Sequence, residues 1–402
     1  MDRLSKLINF VYENNDYHRQ RIIECGINPN TMNLVEYFHR LPFMQKVDLL
    51  DNANLITRGY SRDKLIKERT SGSTGLMLDV YWDQFDRVVS LASIWKIRNR
   101  YNIYPESQAC YFHTASYRRF HDETDTVALA PVKYNKRKNI LSFNKIFLDE
   151  KSLKWYYDLL IIHGPKWILA YPSTLVVLVD FLQKNNLKIN SVEYIELYGE
   201  MLLNSQYQVI KSFFKVPVVN MYGMSEVNGI ATSFENDAMT INSENVFVEV
   251  LDENNHQVMG REGDIVVTCL NNKAMPIIRY RTGDRGKLLS SNKLELMVAH
   301  KNDSIKLISG KKDSALFTYV VEYLNSLFGN IIVQFLVCQK SLNSFDVRLV
   351  LRDFCNVEYL EKQFIKTSES LGVIDCTWSF SYEKEYIETG EGKRRYFQSN
   401  VV

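Results

Sequence analysis

The residues best equipped for chemistry fall in short, separated segments. Thr70-Ser71-Gly72-Ser73-Thr74-Gly75 offers hydroxyls, small residues and exposed backbone N–H groups, which is what holding phosphate oxygens requires. No lysine follows its last glycine, so it is not a Walker A loop, and by itself it reads equally as a surface turn. Tyr222-Gly223-Met224-Ser225-Glu226 supplies an aromatic ring, a glycine for close approach and a carboxylate. Beside a phosphate site that carboxylate suits Mg²⁺ through oxygen; elsewhere it is an ordinary surface Glu. Asp284, in Arg281-Thr282-Gly283-Asp284, either caps its own turn or accepts both hydroxyls of a ribose. Lys393, set among glycines and arginines in Gly390-Glu391-Gly392-Lys393-Arg394-Arg395, reads by default as part of a solvated basic tail. His113, within Cys110-Tyr111-Phe112-His113-Thr114, is more often a packed histidine than a catalyst, and is given only a pocket role.

Elements must bring these segments together. The middle of the chain is the most legible. Residues 167–170 read as a buried strand and 173–183 as a helix with Ser173 as N-cap. Residues 192–197 form a second strand, 204–213 a second helix and 216–220 a third strand. This β-α-β-α-β alternation implies a parallel sheet with right-handed crossovers, whose ligands bind at the carboxyl ends of the strands. Tyr171-Pro172-Ser173, Tyr198-Gly199-Glu200 and the Tyr222 segment all fall at such ends. Before the middle, residues 1–55 read as helical, 76–82 as a strand, and the next stretch as a helix on which Val88, Leu91, Ala92 and Trp95 share a face. After it, 263–270 is a strand. Beyond Gly310 a compact α+β unit follows: strands 331–338 and 345–351, a helix over 357–370 and a strand over 376–382.

Bulk properties bound the answer. The chain has 402 residues, too many for one core, and 49 Lys+Arg against 47 Asp+Glu give a net charge of +2. A near-neutral chain of this kind is not a dedicated nucleic-acid binder. The longest apolar run, 167–182, is broken by Pro172, Ser173 and Asp180 and is unsuited to crossing a bilayer. The first residues read as an amphipathic helix and not as a signal peptide. Six scattered cysteines without a C-x-x-C pair point to core thiols in a reducing compartment, with no zinc site. The expectation is a cytoplasmic protein without a nucleic-acid or membrane partner; its oligomeric state is not legible, and a homodimer is compatible.

In this order, the segments resemble the adenylate-forming superfamily, and within it the phenylacetate–CoA ligase and CapK branch. Leu41-Pro42-Phe43-Met44-Gln45-Lys46-Val47-Asp48-Leu49 looks like that branch's opening "LPF-x-x-K-x-DL". The Thr70–Gly75 loop resembles the phosphate loop, and Tyr171-Pro172-Ser173 and Gly199-Glu200 the "PS" and "GE" segments. Tyr222 to Glu226 matches "YG-x-[ST]E", and Arg281 to Asp284 matches "[YR]TGD". The resemblance covers nearly the whole chain. It implies an α/β fold: a large N-terminal domain of mostly parallel sheets and helices, residues 1–310, and a small mobile α+β domain, residues 311–402. It also implies activation of a carboxylic acid by ATP with Mg²⁺. Ser71, Ser73 and Thr74, with Gly72 and Gly75, would hold the β- and γ-phosphates. Glu226 would hold the metal, and Tyr222 would stack on adenine with Gly223 and Ser225 beside it. Gly199 and Glu200 would line the other side of the base, and Asp284 would take the ribose. Lys393 would bridge the carboxylate and the α-phosphate. His113, Tyr171 and Tyr198 would line a pocket for a small aromatic or short aliphatic acid.

Two departures bear on the acyl acceptor. The family hinge "GR-x-DD" stands here as Gly310-Lys311-Lys312-Asp313-Ser314, with Lys311 in place of a ribose-binding arginine. The glycine-containing loop associated with the CoA thiol is replaced by Ala315-Leu316-Phe317-Thr318-Tyr319. A thiol, CoA first, is the expected acceptor, with a carrier-protein thiol or an amine such as an amino sugar as the alternatives. A non-catalytic binding protein would lack Glu226, Asp284 or Lys393, and all three are present. A P-loop ATPase would need the missing lysine.

Overall fold

The computed structural model of the protein describes residues 2–27, 37–50, 54–69, 78–113, 132–300 (side chains to 297), 304–383, 387 and 396–401. The segments holding Ser71, Gly72, Ser73, Thr74, Gly75 and Lys393 lie outside the described residues. Contacts divide the chain into two units: Met1–Arg100 with Met221–Ser233 and Asp237–Met297, and Tyr101–Asn220 with Phe234–Asn236 and Val298–Val402.

The first unit is built on antiparallel pairing. Val246–Leu251 pairs with Glu262–Cys269, and that strand with Tyr280–Ser290. Alternating apolar residues put Val248, Val250, Ile265, Val267 and Leu288 into one core with Trp82 and Met44. The helix Gln84–Asn99 is capped by Asp83, whose carboxylate accepts from the N–H groups of Phe85 and Asp86. The face it buries is not the apolar one expected from the sequence. Val88 is exposed, and the buried residues are Asp86, Ser90, Ser93, Ile94 and Arg98. The cause is a polar seam: Ser90 Oγ donates to Asn245 Oδ1 at 2.7 Å, and Asn242 Nδ2 donates to Ser93 Oγ at 2.6 Å. Hydrogen bonding overrides the hydrophobic pattern here.

The second unit contains the expected parallel sheet. Ala109–Phe112 lies parallel to both Ile140–Phe143 and Trp167–Ala170, and Trp167–Ala170 lies parallel to Tyr194–Tyr198. The helix between the last two, Pro172–Lys184, starts one residue earlier than expected. Tyr171 is its N-cap and Pro172 opens it, because proline lacks only an N–H that a first turn leaves unused anyway. Ser173 is therefore inside the helix and does not cap it.

The same unit includes the α+β part. Ile332–Ser341 and Ser344–Leu351 pair antiparallel, followed by the helix Val357–Ser370 and the strand Thr377–Tyr382. A short strand absent from the sequence reading, Phe397–Ser399, pairs parallel with Val337–Gln339. Phe317, Phe335, Phe345 and Phe364 centre a separate apolar core there. The fold is thus mixed α/β with a smaller α+β part near the end of the chain. Among the described residues, no helix is long and apolar enough to cross a membrane.

Candidate active site

In the first unit the Tyr222 and Asp284 segments meet. The strand Val218–Met224 extends through Tyr222 and Gly223, so the motif begins in a strand and only its end is a turn. A Cβ on Gly223 would stand 2.5 Å from the Asn228 carbonyl oxygen, so the tight return into the strand Asn228–Phe234 admits only glycine. Glu226 sits in that turn and is buried. Asn245 Nδ2 donates to the carbonyls of Val227 at 2.7 Å and Gly229 at 2.9 Å, which fixes the turn from below.

Asp284 lies within the long strand Tyr280–Ser290, at an irregularity where the pairing slips between Asp264 and Val266. Thr282 Oγ1 donates to the Ile265 carbonyl and accepts from the Asp284 N–H, each at 3.0 Å, and Gly283 takes φ of +84°. This bulge turns the Asp284 side chain toward Tyr222. The Tyr222 hydroxyl donates to Asp284 Oδ2 at 2.7 Å across 62 residues of sequence. The Tyr280 hydroxyl donates to Glu226 Oε1 at 3.3 Å. Burial above all, then the Asp284 charge, pushes the Tyr222 phenol well above its ordinary value; burial and Glu226 do the same for Tyr280. Both phenols therefore stay donors. The Tyr222 phenol orients the Asp284 carboxylate. Ser225 is half-buried beside Glu226.

The opening segment braces the same strand. Met44 forms an isolated parallel bridge to Tyr280, with Met44 N donating to Arg279 O and Arg281 N to Met44 O, both at 2.9 Å. The Phe43 ring lies between the guanidinium groups of Arg279, at 4.3 Å, and Arg281, at 4.2 Å.

In the second unit the carboxyl ends of the parallel strands carry His113, Lys145, Tyr171 and Tyr198 to Glu200. The Tyr171 and Tyr198 rings are 4.7 Å apart. Gly199, at φ +77°, leaves room for that arrangement, since a Cβ there would be 2.6 Å from the Tyr171 ring. His113 is half-buried; its N–H donates to the Phe143 carbonyl, and its ring stands 6.1 Å from that of Tyr111. Glu200 accepts from the Ser173 N–H at 3.4 Å and lies 3.6 Å from Lys145 Nζ. Burial first, then Glu200, pushes the Tyr171 phenol up to about 12. Lys311 is exposed on the hairpin strand Gly310–Asp313.

Lys145 was missed in the sequence. Its side chain is only 6% exposed, and its ammonium sits 3.3 Å above the Tyr171 ring. The available signal was topological, because Lys145 follows a parallel strand at the end where ligands bind. Asn245 was missed as well, and its role rests on contacts that no local pattern announces.

No family model matches the chain. It is similar to the CapK protein of Staphylococcus aureus, 21% identical over 418 residues that cover 99% of this chain and 88% of that one. It is also similar to a phenylacetate-coenzyme A ligase of Pseudomonas putida, 22% identical over 339 residues that cover 79% and 70%. Among solved structures it superposes on 2-hydroxyisobutyryl-CoA ligase in complex with R3-HIB-AMP with a TM-score of 0.75, at 14% identity, covering 99% of this chain and 88% of that one. The chain is a homologue of CapK and the phenylacetate-coenzyme A ligases and has the fold of the adenylate-forming acyl-CoA ligases.

Proposed function

We propose that this protein is an AMP-forming carboxylic acid ligase: it activates an acid with ATP as the acyl-adenylate, releasing pyrophosphate, and passes the acyl group to a thiol, CoA first. The observation that carries this reading is the 2.7 Å contact of Tyr222 with Asp284, with Glu226 in the adjoining turn. An aromatic ring, a ribose acceptor and a carboxylate are thereby grouped at one place. The similarity to ligases over most of the chain supports the same reaction class.

The chemistry sets the roles. A carboxylate and the α-phosphate are both anionic, so N–H donors and cations must be placed where charge builds. Ser71, Ser73 and Thr74, with Gly72 and Gly75, are assigned to the β- and γ-phosphates. Lys393 is assigned to the carboxylate and α-phosphate, for which a compact charge on a long stem is suited. Tyr222, Gly223, Ser225 and Asp284 take the nucleoside, with Gly199 and Glu200 along the base and Lys311 toward the ribose. Magnesium prefers oxygen and is usually held by one or two carboxylates together with substrate phosphates, a requirement that Glu226 fits. When bound, the ion would neutralise the departing pyrophosphate. His113, Tyr171 and Tyr198 are assigned to the acid. Residues 1–310 form the adenylating domain and 311–402 a domain that closes over it about a hinge near Lys312 and Asp313.

ATP–pyrophosphate exchange over a panel of carboxylic acids tests the reading, followed by turnover with CoA and with amino sugars to identify the acceptor. Lys393→Ala should lower adenylate formation by about 100-fold or more while equilibrium ATP binding is kept. Wild-type exchange rates in that variant would remove Lys393 from the reaction.

A further inference from the structure

The α+β part meets the parallel-sheet part of the same unit through apolar packing, as of Val333, and through two polar contacts between charged or capping groups. The helix Asn204–Phe214 begins after Leu203, which has no oxygen to cap it, and starts four residues beyond Glu200. The cap comes from far away in sequence. Glu322, on the helix Ala315–Phe328, accepts from the Ser205 N–H at 3.0 Å and from the Ser205 hydroxyl. A carboxylate at a helix N-terminus is favourable for its charge and for its hydrogen bonds.

A second contact has the opposite character. Asp180 lies on the helix Pro172–Lys184, which begins beside Tyr171, and its side chain is 2% exposed. It meets Arg352 Nη2 at 3.1 Å, while Arg352 is 25% exposed and its Nε has no hydrogen-bond partner among the described residues. One contact from a partly hydrated arginine is a poor return for burying a carboxylate. Beside the Ser205 contact runs a crevice in which polar Ser173, Gln206, Asn325 and Gln334 stand together with apolar Leu203 and Val333. The Ser173 hydroxyl is buried there without a hydrogen-bond partner among the described residues. A mixed interface that leaves a crevice and an unused buried hydroxyl, beside a separate apolar core, suits two parts that come apart.

We infer that Glu322 and Asp180 are opposed positioning residues: Glu322 holds the α+β part against the helices Pro172–Lys184 and Asn204–Phe214, and buried Asp180 weakens that hold so that it can release. This rests on the ligase reading, in which the α+β part changes its pose between adenylation and acyl transfer. Neither residue need touch substrate. Both act by setting how long the part carrying Lys393 stays in one pose.

The test is amide hydrogen exchange in the first turn of the helix Asn204–Phe214, where the Ser205 N–H reports contact with Glu322 directly, combined with separate rates for the two half-reactions. Glu322→Ala should raise exchange of that turn about tenfold at pH 7.5, and Glu322→Gln, which keeps an acceptor, should do so less. Asp180→Asn should slow it a few-fold, because the buried charge is gone. The ratio of ATP–pyrophosphate exchange to acyl transfer should move in opposite directions in Glu322→Ala and Asp180→Asn. Exchange that is unchanged, or that moves the same way in both, overturns the inference, as does an unaltered ratio of half-reactions. If the amides respond as expected but the wild-type protein forms no adenylate with any acid, the ligase reading fails and the opposed contacts stand.

Discussion

Two arginine–carboxylate pairs, each with a buried carboxylate, differ in how fully the arginine is used. Arg279 and Glu249, in the first unit, are joined by two hydrogen bonds of 3.1 and 3.0 Å, and each side chain is 3% exposed. The remaining guanidinium nitrogen of Arg279 donates to the carbonyls of His39 and Leu41, and its face lies on Phe43. Arg352 and Asp180, in the second unit, share one contact. Burial raises the carboxyl pKa in both pairs, outweighing the arginine in each case. The difference therefore lies not in the cost of burying charge but in how completely the donors are used. A fully used guanidinium fixes its surroundings, here the strand that presents Tyr280 and Asp284. An incompletely used one marks a boundary.

Arg279→Met should break this comparison most severely. It leaves Glu249 buried without a partner, and removing one member of such a pair typically costs about 3–5 kcal/mol. Thermal or denaturant unfolding should show a loss of that order, and Arg352→Met should lose clearly less, because its arginine already reaches water. Equal losses would mean that the count of donors says nothing about which contacts are permanent.

Tyr222→Phe sharpens the comparison at the nucleotide side. The hydroxyl is a single donor, yet it goes to the carboxylate assigned to ribose, and a hydrogen bond to a charged group contributes about 1.5–3 kcal/mol. ATP affinity, read by equilibrium binding, should fall by roughly tenfold or more, since 1.4 kcal/mol is a factor of ten. Wild-type affinity would show that Asp284 does not need the phenol to hold its orientation.

The sequence and the structure agree where a pattern is local. The helix Val357–Ser370 has the bounds its periodicity predicts, and the β-α-β run from Trp167 to Tyr198 gives the parallel pairing expected of it. Agreement ends where long-range contacts decide. The strand Phe397–Ser399 is three residues long, and only its pairing with Val337–Gln339 makes it a strand. The helix Gln84–Asn99 shows an apolar stripe, yet Asn242 and Asn245 draw its serines inward. Asp284 was legible as a motif residue but not as part of a bulge, because the extra residues 282–284 show only once the strand is paired with Glu262–Cys269. Lys145 lies in no motif, and its burial between Tyr171 and Glu200 follows from strand order alone.

The smallest expected effect is a pH dependence of the weaker pair. Burial, opposed by Arg352 and by Lys184 on the same helix, raises the Asp180 carboxyl from its ordinary 3.8 to about 6. When the α+β part leaves, some of that burial is relieved and the pKa falls toward the ordinary value. The docked state therefore binds a proton more tightly than the released one. Its gain is full below the released pKa and is lost as pH rises through about 6. Protection factors for the first turn of Asn204–Phe214, corrected for intrinsic exchange, should accordingly fall by about threefold to tenfold between pH 4.5 and 7; part of the burial belongs to Asp180's own helix and stays. Asp180→Asn should flatten that profile while Glu322→Gln keeps its slope at a lower level. A wild-type slope in Asp180→Asn would assign the titration to another group and leave the Arg352 contact as ordinary packing.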